Sequence, residues 1–153
     1  GVPKVEVLAR RVAEINPDCR VNRVIEFLTE SNADRLLDGG FDYVVDAIDR
    51  TSIKALIIAK CVQRDLPVIT SGSAGGRRDA TAVKLTDLGF AGADMLLKGT
   101  RQCLRRGFGF AKSLEGRPMA SPLRSVSRSQ TTSTGISEPS LRRCIPSWRI
   151  VLS

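Results

Sequence analysis

Phe41-Asp42-Tyr43-Val44-Val45-Asp46-Ala47-Ile48-Asp49-Arg50 is an apolar run that closes on two acids three residues apart. Such a run reads as a buried parallel strand whose carboxyl end opens on a ligand crevice, because open α/β sheets bind their ligands at that end. A helical pattern starts directly after Asp49. Its carboxylate is therefore expected at a strand-to-helix junction, within reach of a nucleotide's phosphates or their magnesium ion.

The pattern extends in both directions from this strand. Upstream, Pro3 suits a helix start, and Val5, Leu8, Val12 and Ile15 recur on one helical face until Asn16-Pro17 ends the run. Cys19 to Ile25 reads as a short strand. Thr29 or Ser31 can cap a small helix across Ala33 to Leu37, which Gly39-Gly40 terminates. Downstream, a helix from about Thr51 to Arg64 is expected to pack Ile53, Leu56, Ile57 and Cys61, and Leu66 to Thr70 forms the next strand. Strand, helix, strand, helix, strand in this order is a parallel βαβ series, so the expected fold is α/β with a Rossmann-like, doubly wound, mostly parallel sheet. The small-residue loop Ser71-Gly72-Ser73-Ala74-Gly75-Gly76 follows, where backbone N–H groups can approach an anion. After it come an alternating run from Thr81 to Thr86 and a helical stretch near Asp94 to Arg106.

Composition narrows the chemistry. The 153 residues carry a formal charge of +8, but Arg117 to Ser153 holds six arginines and one acid, leaving 18 basic against 15 acidic residues before it. The body is nearly balanced. Cys19, Cys61, Cys103 and Cys144 form no C-x-x-C pair, so neither a zinc knuckle nor a redox dithiol is indicated, and the thiols read as buried or idle. With no histidine, imidazole acid/base chemistry and imidazole metal ligands are excluded from this segment. Neither a membrane-spanning run nor a signal-peptide pattern is read, and a soluble cytoplasmic setting is expected, with an organellar one left open.

From Arg117 onward the text changes character. Ser121 to Ser140 is dominated by Ser, Thr, Arg and Pro without period, and such a segment buries too little apolar area to offset its chain entropy. The expected organisation is residues 1–112 as a domain and 113–153 as a disordered or non-native tail. Cys144 to Leu152 is apolar enough to dock, although nothing in it identifies a partner.

Five blocks carry a resemblance. Gly1-Val2-Pro3-Lys4-Val5-Glu6-Val7-Leu8-Ala9, Ile15-Asn16-Pro17-Asp18-Cys19-Arg20-Val21, Val44-Val45-Asp46-Ala47-Ile48-Asp49, Thr70 to Gly76 and Thr86-Asp87-Leu88 resemble, in order and spacing, the ThiF-type adenylating enzymes related to ubiquitin-activating enzyme. The glycine-rich loop followed by threonine-aspartate-leucine looks most like the tRNA threonylcarbamoyladenosine dehydratases. The resemblance implies ATP and Mg2+ as cofactors, tRNA as the macromolecular partner and a homodimer. It also implies a reaction in which the carboxylate of threonylcarbamoyladenosine attacks the α-phosphate of ATP, and ring closure by the carbamoyl nitrogen then releases AMP. By the same resemblance Lys4 neutralises triphosphate charge, Asp49 positions magnesium and ATP, and Asp46 supports it as a further cofactor-binding acid. The family's nucleotide loop, ribose-gripping acid and phosphate-binding arginine precede the motif at which this chain starts. The chain is therefore expected to be the C-terminal part of the adenylating domain, inactive as a separate polypeptide.

Simpler readings stand beside these. Taken alone, Lys4 is an exposed helix-start lysine and Asp49 an N-cap. Arg77 and Arg78 are either a solvated turn or an RNA-phosphate contact. For Arg101, Arg105 and Arg106 at helical spacing, a solvated face is the default and a tRNA-backbone contact the alternative. Two other functions are compatible with the sequence: an adenylyltransferase for a ubiquitin-like sulfur carrier, and a non-catalytic fragment that binds a partner through its sheet edge.

Overall fold

The computed structural model describes residues 1–75, 79, 81–92 and 94–112, and the backbone of 123–128 and 147–151. The chain divides into two units, residues 1–28 with 133–153, and residues 29–132.

In the first unit, helix α1 (Lys4–Ile15) begins after Pro3 and stops at Asn16, whose Oδ1 accepts from the Asp18 N–H at 3.2 Å and turns the chain into strand β1 (Arg20–Val24). The apolar stripe expected from Val5, Leu8, Val12 and Ile15 narrows to Val5 and Ala9, an i, i+4 pair. Leu8 is 42% exposed and Ile15 84%. The physical reason is the width of the partner: α1 lies on a two-stranded sheet, which cannot cover a broad face. The second strand of that sheet is β6 (Ser147–Val151), parallel to β1, with Arg20 opposite Ser147 and Val24 opposite Val151.

The second unit carries the chemistry-bearing strand. Helix α2 (Glu30–Leu37) is entered through Thr29, whose N–H donates to Asn32 Oδ1 at 2.8 Å, and buries Ala33, Leu36 and Leu37. Strand β2 (Val44–Asp46) leads into α3 (Thr51–Gln63), then β3 (Val68–Ser71), β4 (Val83–Thr86), a 3-10 turn (Leu88–Phe90) and α4 (Met95–Phe108), which Gly109 ends at φ +69°. The sheet order is β2-β3-β5-β4, where β5 is Leu123–Arg128. β2, β3 and β5 run parallel, and β4 is antiparallel to β5. This is a mostly parallel sheet, as expected from the sequence, but the first strand of the expected series, β1, is not in it and pairs instead with β6.

Helix α3 is the centre of the core. Lys54, Ala55, Leu56, Ile57, Ile58, Ala59 and Cys61 are all buried, so the helix is enclosed around its circumference instead of on a single stripe. It packs on α4, where Gly99 permits close approach: a Cβ there would come within 2.8 Å of Thr51 Cγ2.

Within residues 113–153, expected to be a disordered or non-native tail, two stretches are strands: β5, in the part read as disordered, and β6, in the Cys144 to Leu152 segment read as apolar enough to dock. Ser121 to Ser140 shows no period in its side chains. Main-chain pairing along an open strand edge needs no such period, because every residue offers its own N–H and C=O.

Candidate functional site: the carboxyl ends of β2 and β3

Parallel pairing sets Asp46 opposite Thr70 at the ends of β2 and β3. The alternation of a strand then turns both side chains toward the helix layer, and Lys54, one turn into α3, meets them there. Lys54 Nζ donates to Asp46 Oδ2 at 2.8 Å and to Thr70 Oγ1 at 2.9 Å, and Thr70 Oγ1 donates to Asp46 Oδ2 at 2.7 Å. The Lys54 and Asp46 side chains are both 0% exposed. The second oxygen, Asp46 Oδ1, accepts from the Ile48 N–H at 3.0 Å and closes a tight turn. Asp46 thus has both oxygens engaged inside the fold. Through these bonds Asp46 ties the turn that leads to Asp49 into the sheet.

Asp49 is exposed at the end of that turn, and its carboxylate has no hydrogen-bond or ion-pair partner among the described residues. It is not the helix cap: Arg50 holds the N-cap position of α3. Asp49 instead lines a pocket of about 450 Å³ with Ala47, Ile48, Ser71, Gly72, Ser73, Ala74 and Leu96. The pocket lies beyond the carboxyl ends of β2 and β3, where the reading of Phe41 to Arg50 placed a ligand crevice. A larger depression of about 510 Å³ between α2, α3 and α4 is lined by Arg106 but by none of Lys4, Asp46, Asp49 and Arg101.

The wall opposite Asp49 is the loop after β3. Two of its N–H groups are already satisfied: Ser73 N donates to Asp94 Oδ2 at 2.8 Å, and Gly75 N donates to Ser73 Oγ at 3.4 Å. The loop is therefore less open to an anion than its composition implied. Asp94, 2% exposed, also caps α4 through Oδ1, which accepts from the Leu97 N–H at 2.9 Å.

Lys4 is exposed at the first turn of α1, in the other unit. Arg77 and Arg78 lie outside the described residues. Arg101 is half-buried, and its Nη1 donates to the carbonyls of Ala91 at 2.6 Å and Leu88 at 3.3 Å, closing the 3-10 turn onto α4. Burial, with Arg105 nearby, lowers its pKa, although Asp94 opposes the shift. Lys54, Thr70 and Asp94 had no role assigned from sequence. The available signal for Lys54 was a single charge inside Ile53-Lys54-Ala55-Leu56-Ile57-Ile58-Ala59, a run too apolar to face water.

Residues 1–132 match the model of the ThiF family. The chain belongs to the ThiF family. Among curated ThiF relatives, it is 40% identical over 117 residues to the tRNA threonylcarbamoyladenosine dehydratase of Escherichia coli K12, covering 76% of this chain and 44% of that protein. It is 36% identical over 106 residues to the enzyme of the same name from Bacillus subtilis 168, covering 69% and 42%. The crystal structure of the Escherichia coli dehydratase TcdA in complex with ATP superposes with a TM-score of 0.78 at 37% identity, over 85% of this chain and 52% of that one. The chain thus spans about half the length of the ThiF relatives it matches. No helix among the described residues is long and apolar enough to cross a membrane.

Proposed function

We propose that the Asp49 pocket is part of an ATP-dependent adenylating site, and that the reaction it serves is the dehydration of threonylcarbamoyladenosine in tRNA. One observation carries this reading. An exposed carboxylate with no partner among the described residues stands at the ligand-binding end of a parallel sheet, in a chain whose fold matches a dehydratase solved with ATP. A hard divalent cation takes oxygen ligands: Asp49 offers two that have no partner among the described residues, whereas Asp46 is buried and both of its oxygens accept hydrogen bonds inside the fold. Magnesium held there would neutralise phosphate charge as the nucleotide reacts. Lys4 is proposed to add positive charge to the triphosphate. The tRNA, as substrate, and a homodimeric assembly belong to the same proposal.

In this scheme the substrate carboxylate displaces pyrophosphate from ATP, and ring closure on the resulting acyl adenylate expels AMP, so one water is lost overall. The test is a chimera in which residues 1–112 replace the aligned segment of the Escherichia coli dehydratase. Incubated with tRNA and ATP, it should convert threonylcarbamoyladenosine to a nucleoside one water lighter by mass spectrometry, and Asp49→Asn should abolish that product. A folded chimera that forms none, or an Asp49→Asn chimera that forms as much, would overturn the proposal.

A further inference from the structure

The loop after β3 is held by one side chain from a distant part of the sequence. Asp94 divides its two oxygens between two duties: Oδ1 caps α4 at Leu97, and Oδ2 takes the N–H of Ser73. The contact is tight enough to dictate the residue beside it. A Cβ on Gly72 would stand 2.5 Å from Asp94 Oδ2, 2.9 Å from Asp94 Cγ and 3.2 Å from Leu97 Cδ1. Neither neighbour can move aside cheaply, since Leu97 is 0% exposed and Asp94 is fixed at both oxygens. Gly72 is needed here for close approach and not for an unusual backbone angle.

We propose that Asp94 is a positioning residue that latches the Ser71–Gly75 loop and so sets the distance between that wall and Asp49 across the pocket. The inference rests on the nucleotide reading of the pocket only for what the wall would hold. The latch itself is a property of the chain. Its consequence is that α4, which contributes Leu96 to the same pocket, and the loop move as one body.

Two variants separate the latch from the helix cap. Asp94→Ser keeps an oxygen for the Leu97 N–H, serine being a strong N-cap residue, but has no second oxygen to reach Ser73. Gly72→Ala leaves Asp94 and the cap intact and displaces the loop by collision. In 15N relaxation and amide-exchange measurements on the 153-residue chain, both variants should release the loop. Backbone order parameters at Gly72 to Ala74 should fall from about 0.85 to below about 0.6, and the Ser73 amide should lose its exchange protection, while the Leu97 amide stays protected. If Gly72 to Ala74 remain as rigid as in the parent in both variants, the latch is refuted.

Mn2+·ATP supplies the second arm through paramagnetic line broadening. In the variants, broadening at Ala47 to Asp49 should persist and broadening at Ser71 to Ala74 should diminish. A parent chain with no broadening at either place, together with variants that mobilise the loop, would overturn the nucleotide reading and uphold the latch.

Discussion

Lys54 Nζ lies 2.8 Å from Asp46 Oδ2 with both side chains wholly out of water, the only buried ion pair among the described residues. Opposite charges enclosed in this way gain from mutual attraction but lose hydration, so the pair adds little net stability over an apolar replacement. Breaking it from one side is costly. Its value here is geometric, since Asp46 also receives the Ile48 N–H and thereby fixes the turn that displays Asp49.

Lys54→Met should therefore lower stability by about 3–5 kcal/mol, the usual cost of stranding a buried charge. The double variant Asp46→Asn/Lys54→Met should recover most of that loss, because no unpaired ion remains. Urea unfolding followed by circular dichroism measures both. Equal losses in the single and double variants would mean that packing of the lysine stem, not its charge, holds the site.

Gly99→Ala should destabilise the α3–α4 contact by roughly 1–3 kcal/mol, since the added methyl meets Thr51 Cγ2 at 2.8 Å in a packed interface. Adding Thr51→Ser removes the opposing methyl and should restore most of the stability. The same unfolding experiment reads it.

Cys61 should resist alkylation in the native chain. Burial pushes its thiol up to about 12, with Asp46 adding to the shift and Arg64 opposing it. A raised thiol pKa keeps the proton on sulfur, so up to about the ordinary thiol pKa the thiolate fraction is roughly a thousandfold under that of an unshifted thiol. Mass-resolved iodoacetamide labelling at about pH 8.5, the ordinary thiol pKa, should modify the half-exposed Cys19 and Cys103 first and reach Cys61 only on unfolding.

The parts of this architecture that were legible in sequence are those encoded by local period. Val44 to Asp46, α3 and Val68 to Ser71 follow from apolar runs bounded by turn residues, and Asp49 lies in the turn after β2 because the helical pattern starts next to it. But β2 is not the buried strand its apolar run implied: Val45 is 64% exposed and Tyr43 42%. Three-dimensional neighbours were not legible. Thr70 is 24 residues from Asp46, and Asp94 is 21 from Ser73, so their contacts arise only from strand register and helix placement. Asp46 illustrates the same limit. Two acids three residues apart look equivalent in the sequence, yet strand alternation buries one against Lys54 and the turn exposes the other. For β5 the limit was of another kind, since backbone pairing with β3 supplies what Leu123 to Arg128 lacks in side-chain pattern.

The central claim is that Asp49 holds the metal-bound nucleotide at the ends of β2 and β3, and paramagnetic broadening by Mn2+·ATP in the 153-residue chain tests it most directly. Amides from Ala47 to Asp49 and from Ser71 to Ala74 should broaden, and Asp49→Asn, which keeps side-chain size and removes the charge, should abolish the effect while the rest of the spectrum stays unchanged. Broadening confined to other residues, or undiminished in Asp49→Asn, would contradict the account.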